Sequence, residues 1–140
     1  MASVFTKIIQ GEIPGRFVYK DDRCVAFLTI APLKPGHTLV VPREEVDHWI
    51  DLPPELAAHL MVVSRHVGRA IQAGFKPTKV AITILGLEVR HTHIHVVPIN
   101  AESDMHFERQ DHNAKSEDLD AAARKIRTEL RKAGVKGVAD

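Results

Sequence analysis

The sequence predicts an α+β fold, a five-stranded antiparallel sheet carrying two main helices and a short N-terminal one. Five short runs rich in β-branched and aromatic residues are separated by turn chemistry, and three stretches carry helical apolar spacing. Three of the strands follow one another directly, which suits antiparallel neighbours rather than strand-helix-strand crossovers. With 140 residues and no repeat, linker or low-complexity block, the chain reads as one domain. Its motif-bearing part covers residues 3–99, a loop 100–115 and a terminal helix 116–133.

Each element has a local signature. Ser3 is an N-cap ahead of Val4, Phe5, Ile8 and Ile9, and Gly11 stops that helix. After Ile13-Pro14-Gly15, strands at 17–19 and 24–30 flank an Asp21-Asp22 turn as a hairpin. Pro32, Pro35 and Gly36 make a loop that delivers the chain to a third strand at 37–41, ended by Pro42, with His37 at its mouth. Asp51 is expected to cap a long helix with Pro53 and Pro54 in its first turn. Its apolar positions Leu56, Leu60, Val63, Val67 and Ile71 recur at steps of three or four, and Gly74 closes it. Strands at 79–85 and 91–99 flank a turn at Gly86. From Ser116, the positions Leu119, Ala122, Ala123, Ile126 and Leu130 mark a final amphipathic helix with basic residues at its C-terminal end.

Composition excludes several classes. Nineteen basic against eighteen acidic side chains give a net charge of +1, which supplies no field for holding nucleic acid. The basic run Arg124, Lys125, Arg127, Arg131, Lys132 and Lys136 is interleaved with Glu129 and an apolar seam, so it reads as a solvated helix face. No stretch approaches the roughly 20 apolar residues of a membrane span and no leader pattern opens the chain, so a cytoplasmic protein without a membrane partner is expected. A single cysteine, Cys24, rules out an internal disulfide and reads as a small buried hydrophobe. No glycine loop of either familiar phosphate-binding kind occurs.

The informative segment is His91-Thr92-His93-Ile94-His95-Val96-Val97-Pro98. On a strand, His91, His93 and His95 share one face, with roughly 6.6 to 6.8 Å between successive histidines, while Thr92, Ile94 and Val96 take the other. Solvated surface histidines rarely alternate this strictly. Metal coordination is open, since His-x-His can present two ligands and Glu88 and His37 could add others. So is nucleophilic catalysis, because an imidazole with a pKa of about 6.5 offers both a neutral nucleophile and an acid at working pH, which suits phosphorus chemistry. His59 and His66, roughly 10.5 Å apart along one helix, read as solvated, as do His48, His106 and His112, unless the polar 100–115 segment folds over the site.

The motif resembles the signature of the histidine triad (HIT) superfamily, His-φ-His-φ-His-φ-φ with φ apolar. Residues 4–14 (VFTKIIQGEIP), 21–27 (DDRCVAF), 35–42 (PGHTLVVP) and 86–89 (GLEV) also look like family blocks in family order. The resemblance implies a Hint-like hydrolase or nucleotidyl transferase acting at the α-phosphate of nucleoside 5′-phosphoramidates or related conjugates, with no cofactor and no catalytic metal. By the family pattern His93 is the nucleophile and carries a covalent nucleotidyl intermediate that water hydrolyses. His91 and His95 fix its tautomer, bind phosphoryl oxygens and help protonate the leaving group, and His37 supports them from the neighbouring strand.

The same resemblance assigns a purine-nucleotide pocket to Val4, Phe5 and Ile8, to Phe27, Leu28, Thr29 and Ile30, and to Gly86, Glu88 and Val89. It also implies a homodimer with a ten-stranded sheet. Several positions depart from the pattern. Thr29 stands where many relatives carry a carboxylate for the ribose hydroxyls, and Leu87-Glu88 where they carry glutamine and a small polar residue. Thr92 and Arg90 are milder departures. Some members hold a structural zinc through N-terminal cysteines; Thr6 and Ile9 stand at the corresponding positions, so that site is not expected. A metal-dependent hydrolase using the same histidines and a nucleotide-binding module without turnover are the rival readings.

Overall fold

The computed structural model describes residues 2–140. Helix α1 (Val4–Ile9) starts at Ser3, whose hydroxyl accepts the Thr6 amide. Strands β1 (Phe17–Lys20), β2 (Cys24–Leu28) and β3 (Thr38–Pro42) follow, then α2 (Pro54–Phe75), β4 (Lys79–Thr83), β5 (Ile94–Ile99) and α3 (Ser116–Lys132). The sheet is antiparallel throughout, in the order β1-β2-β3-β5-β4.

Helices α2 and α3 both lie on one face of the sheet. That face contributes Val18, Cys24, Ala26, Leu28, Val40, Ile94 and Val96, which pack with Leu60, Val63, Val67 and Ile71 of α2 and with Ala123, Ile126 and Leu130 of α3. Burying each of the larger aliphatic side chains in this layer stabilises the fold by roughly 1.5–3 kcal/mol. The opposite face carries a smaller cluster, Phe5, Val25, Phe27, Leu39 and Val41, against which Ile8 and Ile9 of α1, Phe17 and Val89 pack. The histidines sit at the edge of this thinner layer, because Leu39 on that face lies opposite His95 in the ladder. Among the described residues no helix is long and apolar enough to cross a membrane.

Several boundaries differ from expectation for local reasons. Asp51 does not cap α2; it ends a 3₁₀ turn, Trp49–Asp51, and Pro53 takes the cap position with no side-chain hydrogen bond. The long helix ends past Gly74, at Lys76, which adopts the left-handed conformation with φ 53°. Strand β5 begins at Ile94, so His91 and His93 precede it. The register Thr38↔Val96 and Val40↔Ile94 would bring Pro42 opposite Thr92, but proline has no amide to donate, and the ladder stops. Thr92 instead bonds the Val46 carbonyl through both its amide and its hydroxyl, at 2.7 and 2.8 Å.

Residues 100–115 are ordered by two 3₁₀ turns, Glu102–Met105 and Phe107–Arg109, and are tied down where Asp111 donates its amide to Pro32 and Gln110 its side-chain amide to Ala31. The C-terminal segment doubles back on β1: Lys20 donates to the Gly137 carbonyl and Ala139 to that of Val18. Gly137 has φ +88°, and a β-carbon there would meet the Lys20 carbonyl oxygen at 2.8 Å, so only glycine fits.

Candidate active site

Four histidines meet on the thinner face. His37 and His91 are fully buried, while His93 and His95 keep 6% and 8% of their surface exposed, so the latter two reach solvent. Each imidazole is held by a partner that decides where its proton sits. The Leu33 amide donates to His37 Nδ1 at 3.0 Å, which leaves the His37 proton on Nε2, where it is donated to His95 Nδ1 at 2.9 Å. His95 therefore carries its own proton on Nε2. His93 Nδ1 lies 2.7 Å from the His91 carbonyl and must donate to it, which leaves the His93 Nε2 lone pair free. Among the described residues, the Nε2 atoms of His93 and His95 have no hydrogen-bond partner, and the two rings lie edge to face with centroids 4.8 Å apart. A free lone pair and a free N–H thus stand side by side.

His91 serves as the back wall. Its Nε2 donates to the Pro42 carbonyl at 2.8 Å, using the acceptor that the interrupted ladder released, and its Nδ1 accepts from the Ser3 hydroxyl at 2.7 Å. Ser3, Thr6 and Glu45 form a polar knot behind it, with Thr6 Oγ1 donating to Glu45 at 2.6 Å. Two aromatic rings complete the walls: Phe5 stands edge-on to His93 at 4.8 Å, and Phe107 edge-on to His95 at 4.9 Å.

Burial keeps His37, His93 and His95 neutral. Desolvation, then the neighbouring His95 and His93, pushes His37 down to about 3; desolvation and His93 push His95 down to about 4. His93 is also lowered, chiefly by desolvation, with the His91 carbonyl acting in the other direction. All three are uncharged at neutral pH, so a negatively charged phosphoryl group would meet hydrogen-bond donors here rather than cations.

The family model described as HIT domain matches residues 10–102, two thirds of the chain. The chain belongs to the HIT family. An uncharacterised HIT-like protein of Methanocaldococcus jannaschii is 37% identical in a 99-residue alignment that covers 68% of this chain and 77% of that protein. The protein named Hit of Bacillus subtilis is 33% identical over 72% of this chain and 73% of its own. Among solved structures, a zinc-bound histidine triad family protein from Mycobacterium smegmatis superposes with a TM-score of 0.82 at 28% identity, covering 96% of each chain. A hypothetical histidine triad nucleotide-binding protein from Sulfolobus tokodaii superposes at 0.77 and 26% identity over 92% of each. The superfamily is one of nucleotide-binding proteins, hydrolases and transferases.

The remaining expected pocket residues of this HIT domain divide into two groups. Phe5, Ile8, Phe27 and Val89 share the apolar layer beside the triad, and half-exposed Val4 precedes Phe5 on α1. Thr29 and Ile30 follow at the end of β2, where the Thr29 hydroxyl accepts the Ala31 amide at 3.1 Å. Leu28, by contrast, points through the sheet into the main core, because side chains alternate along β2. Gly86, φ +75°, turns the β4–β5 connection, and Glu88 is exposed on it. Thr6 is part of the knot behind His91, whereas Ile9 packs in the apolar layer.

Phe107 is the site residue that sequence reasoning missed, since a lone phenylalanine in a polar stretch carries no periodicity. The folding of the 100–115 segment over the site brings in Phe107, while His106 and His112 remain exposed. A second grouping also escaped the sequence. His59 is not simply solvated: its Nε2 lies 2.6 Å from Asp21 Oδ2, and buried Cys24 lies beside the same carboxylate.

Proposed function

We propose that this HIT protein hydrolyses nucleoside 5′-phosphoramidates, or closely related purine-nucleotide conjugates, at the α-phosphorus through a covalent nucleotidyl intermediate on His93. The observation that carries the reading is the unshared lone pair of neutral His93 Nε2, fixed by donation of its Nδ1 proton to the His91 carbonyl. In the first step Nε2 attacks phosphorus, the N–P bond forms and the bond to the leaving amine breaks. His93 becomes cationic, and the His91 carbonyl 2.7 Å from Nδ1 stabilises that charge. His95 Nε2–H donates a hydrogen bond to a phosphoryl oxygen, and the amine collects its proton from solvent. Water then attacks phosphorus, the O–P bond forms and the N–P bond breaks with its electron pair returning to Nε2, and the water's proton passes to solvent, leaving the nucleotide and a neutral imidazole that keeps its Nδ1 proton.

The apolar layer of Phe5, Ile8, Phe27 and Val89 supports the base, and Thr29 lies where a ribose would follow. Thr29→Asp should improve binding of ribonucleotides relative to their 2′-deoxy forms, because a carboxylate accepts both hydroxyls; an unchanged ratio in paired titrations would remove Thr29 from the sugar site. The direct test is turnover of adenosine 5′-phosphoramidate in EDTA, with intact-mass detection of the nucleotidyl adduct. Activity lost to the chelator would favour the metal-dependent reading, and nucleotide binding with neither turnover nor adduct the binding-module reading.

The pH dependence follows from burial. His93 must be neutral to attack, and its pKa lies below the ordinary 6.5. The acid limb of kcat/KM should therefore fall below pH 6.5, and a limb at or above that value would contradict the arrangement. Stability sets the lower bound of that measurement. His37 folds with its pKa depressed to about 3, so its contribution is complete above the unfolded value near 6.5 and is lost as pH falls from 6.5 towards 3.

Homodimerisation belongs to the same proposal. Strand β4 is an edge of the sheet and exposes Ile82, and the adjoining face of α2 exposes Met61 and Val62. A second β4 paired antiparallel would bury this patch and extend the sheet to ten strands. Light scattering should give twice the chain mass for the wild type and the single-chain mass for Met61→Glu combined with Ile82→Lys; a monomeric wild type would refute the pairing.

A further inference from the structure

Away from the triad, on the other face of the sheet, Asp21, Cys24 and His59 bring a carboxylate, a thiol and an imidazole together. One ligand atom from each lies within 4.8 Å of both others. Asp21 is held in place by its own turn: the amides of Arg23 and Cys24 both donate to Oδ1 at 2.8 Å. That leaves Oδ2 facing inward, 2.6 Å from His59 Nε2, 3.7 Å from Cys24 Sγ and 2.7 Å from the Tyr19 hydroxyl. Cys24 is fully buried, whereas the side chains of Asp21 and His59 each keep 19% of their surface exposed, which opens the cluster to solvent from one side.

We propose that Asp21 Oδ2, Cys24 Sγ and His59 Nε2 bind one thiophilic divalent cation of the zinc class. Sulfur, nitrogen and oxygen donors suit that class and not calcium or magnesium, which take oxygen ligands. Bonds of about 2.3 Å to sulfur and about 2.0 Å to nitrogen and oxygen put ligand atoms roughly 3.3 to 3.5 Å apart in a tetrahedron. The sulfur–carboxylate separation is close to this already, and His59 need withdraw from Asp21 by less than about 1 Å. On binding, the Cys24 thiol and His59 Nε2 give up their protons, the first to solvent and the second to Nδ1 or solvent. The fourth position is left to water, and the Tyr19 hydroxyl keeps its hydrogen bond to the ligating carboxylate, orienting it. The ion would tie the β1–β2 turn to α2, adding to the His59–Asp21 contact that already joins them.

Cobalt(II) titration of the purified full chain tests this, because Cys24 is the only cysteine and a thiolate-to-cobalt charge-transfer band can arise from nothing else. The wild type should bind one cobalt with that band and with tetrahedral visible absorption, and zinc should displace it. Cys24→Ala should abolish the band, and His59→Ala, a half-buried position on the helix surface, should weaken binding by more than about tenfold with the fold intact by circular dichroism. Absence of binding would overturn the proposal. So would cobalt bound without a thiolate band, which would assign the metal to the triad or to surface histidines, or a band of unchanged affinity in His59→Ala.

Discussion

Replacing His93 with alanine should abolish hydrolysis of adenosine 5′-phosphoramidate, lowering kcat by at least about four orders of magnitude, the scale seen when a covalent nucleophile is removed. Loss of the intact-mass adduct should accompany it. The effect is expected to be specific to chemistry, since His93 sits at the mouth of the site with its ring against Phe5 and His95, and its truncation leaves the main core untouched. Nucleotide affinity should change far less than turnover, because in the proposed reading the base rests on the apolar layer of Phe5, Ile8, Phe27 and Val89, which the substitution leaves in place. A His93→Ala protein that retains kcat within about tenfold of the wild type would mean that another group attacks phosphorus, and the nucleophile would have to be sought elsewhere.

His37→Leu should lower kcat by about a hundredfold while leaving KM for the nucleotide within a few fold. His37 has no path to the substrate; it acts through His95. Its Nε2–H fixes the lone pair of His95 on Nδ1 and so keeps the His95 proton on Nε2, which in the proposed reading donates to the phosphoryl group. Leucine approximates the volume but removes the donor, and His95 is then free to hold its proton on Nδ1 and present a lone pair to an anionic phosphate. The Leu33 amide also loses its acceptor, at a cost of roughly 1–3 kcal/mol. A merely structural role for His37 would lower stability and leave kcat per folded molecule unchanged. Thermal melting alongside active-site titration separates the two outcomes.

Much of this protein was legible from local pattern. The Ser3 cap, the period of α2 and of α3, the Asp21-Asp22 turn and the five strand runs all rest on interactions within a few residues, and each element formed where its pattern lay. The alternation through Ile94, His95 and Val96 likewise assigned His95 to the face opposite the core, since alternation is a property of the strand alone. The misplaced cap at Asp51 and the late start of β5 needed more than local preference: a proline at 42 acts on residues fifty positions later, through the ladder it cannot complete.

The residue types that can do phosphoryl chemistry, and their order along the chain, were determined by the sequence, because imidazole chemistry and strand period are intrinsic to it. Which nitrogen of each imidazole carries the proton was decided only by tertiary structure. That depends on the Leu33 amide, the Pro42 carbonyl and the His91 carbonyl arriving within hydrogen-bond reach. The same holds for Phe107 over His95, and for Asp21 meeting His59 across thirty-eight residues with Cys24 beside it. A contact between distant residues leaves no period to read; it exists only once the sheet and helices have packed.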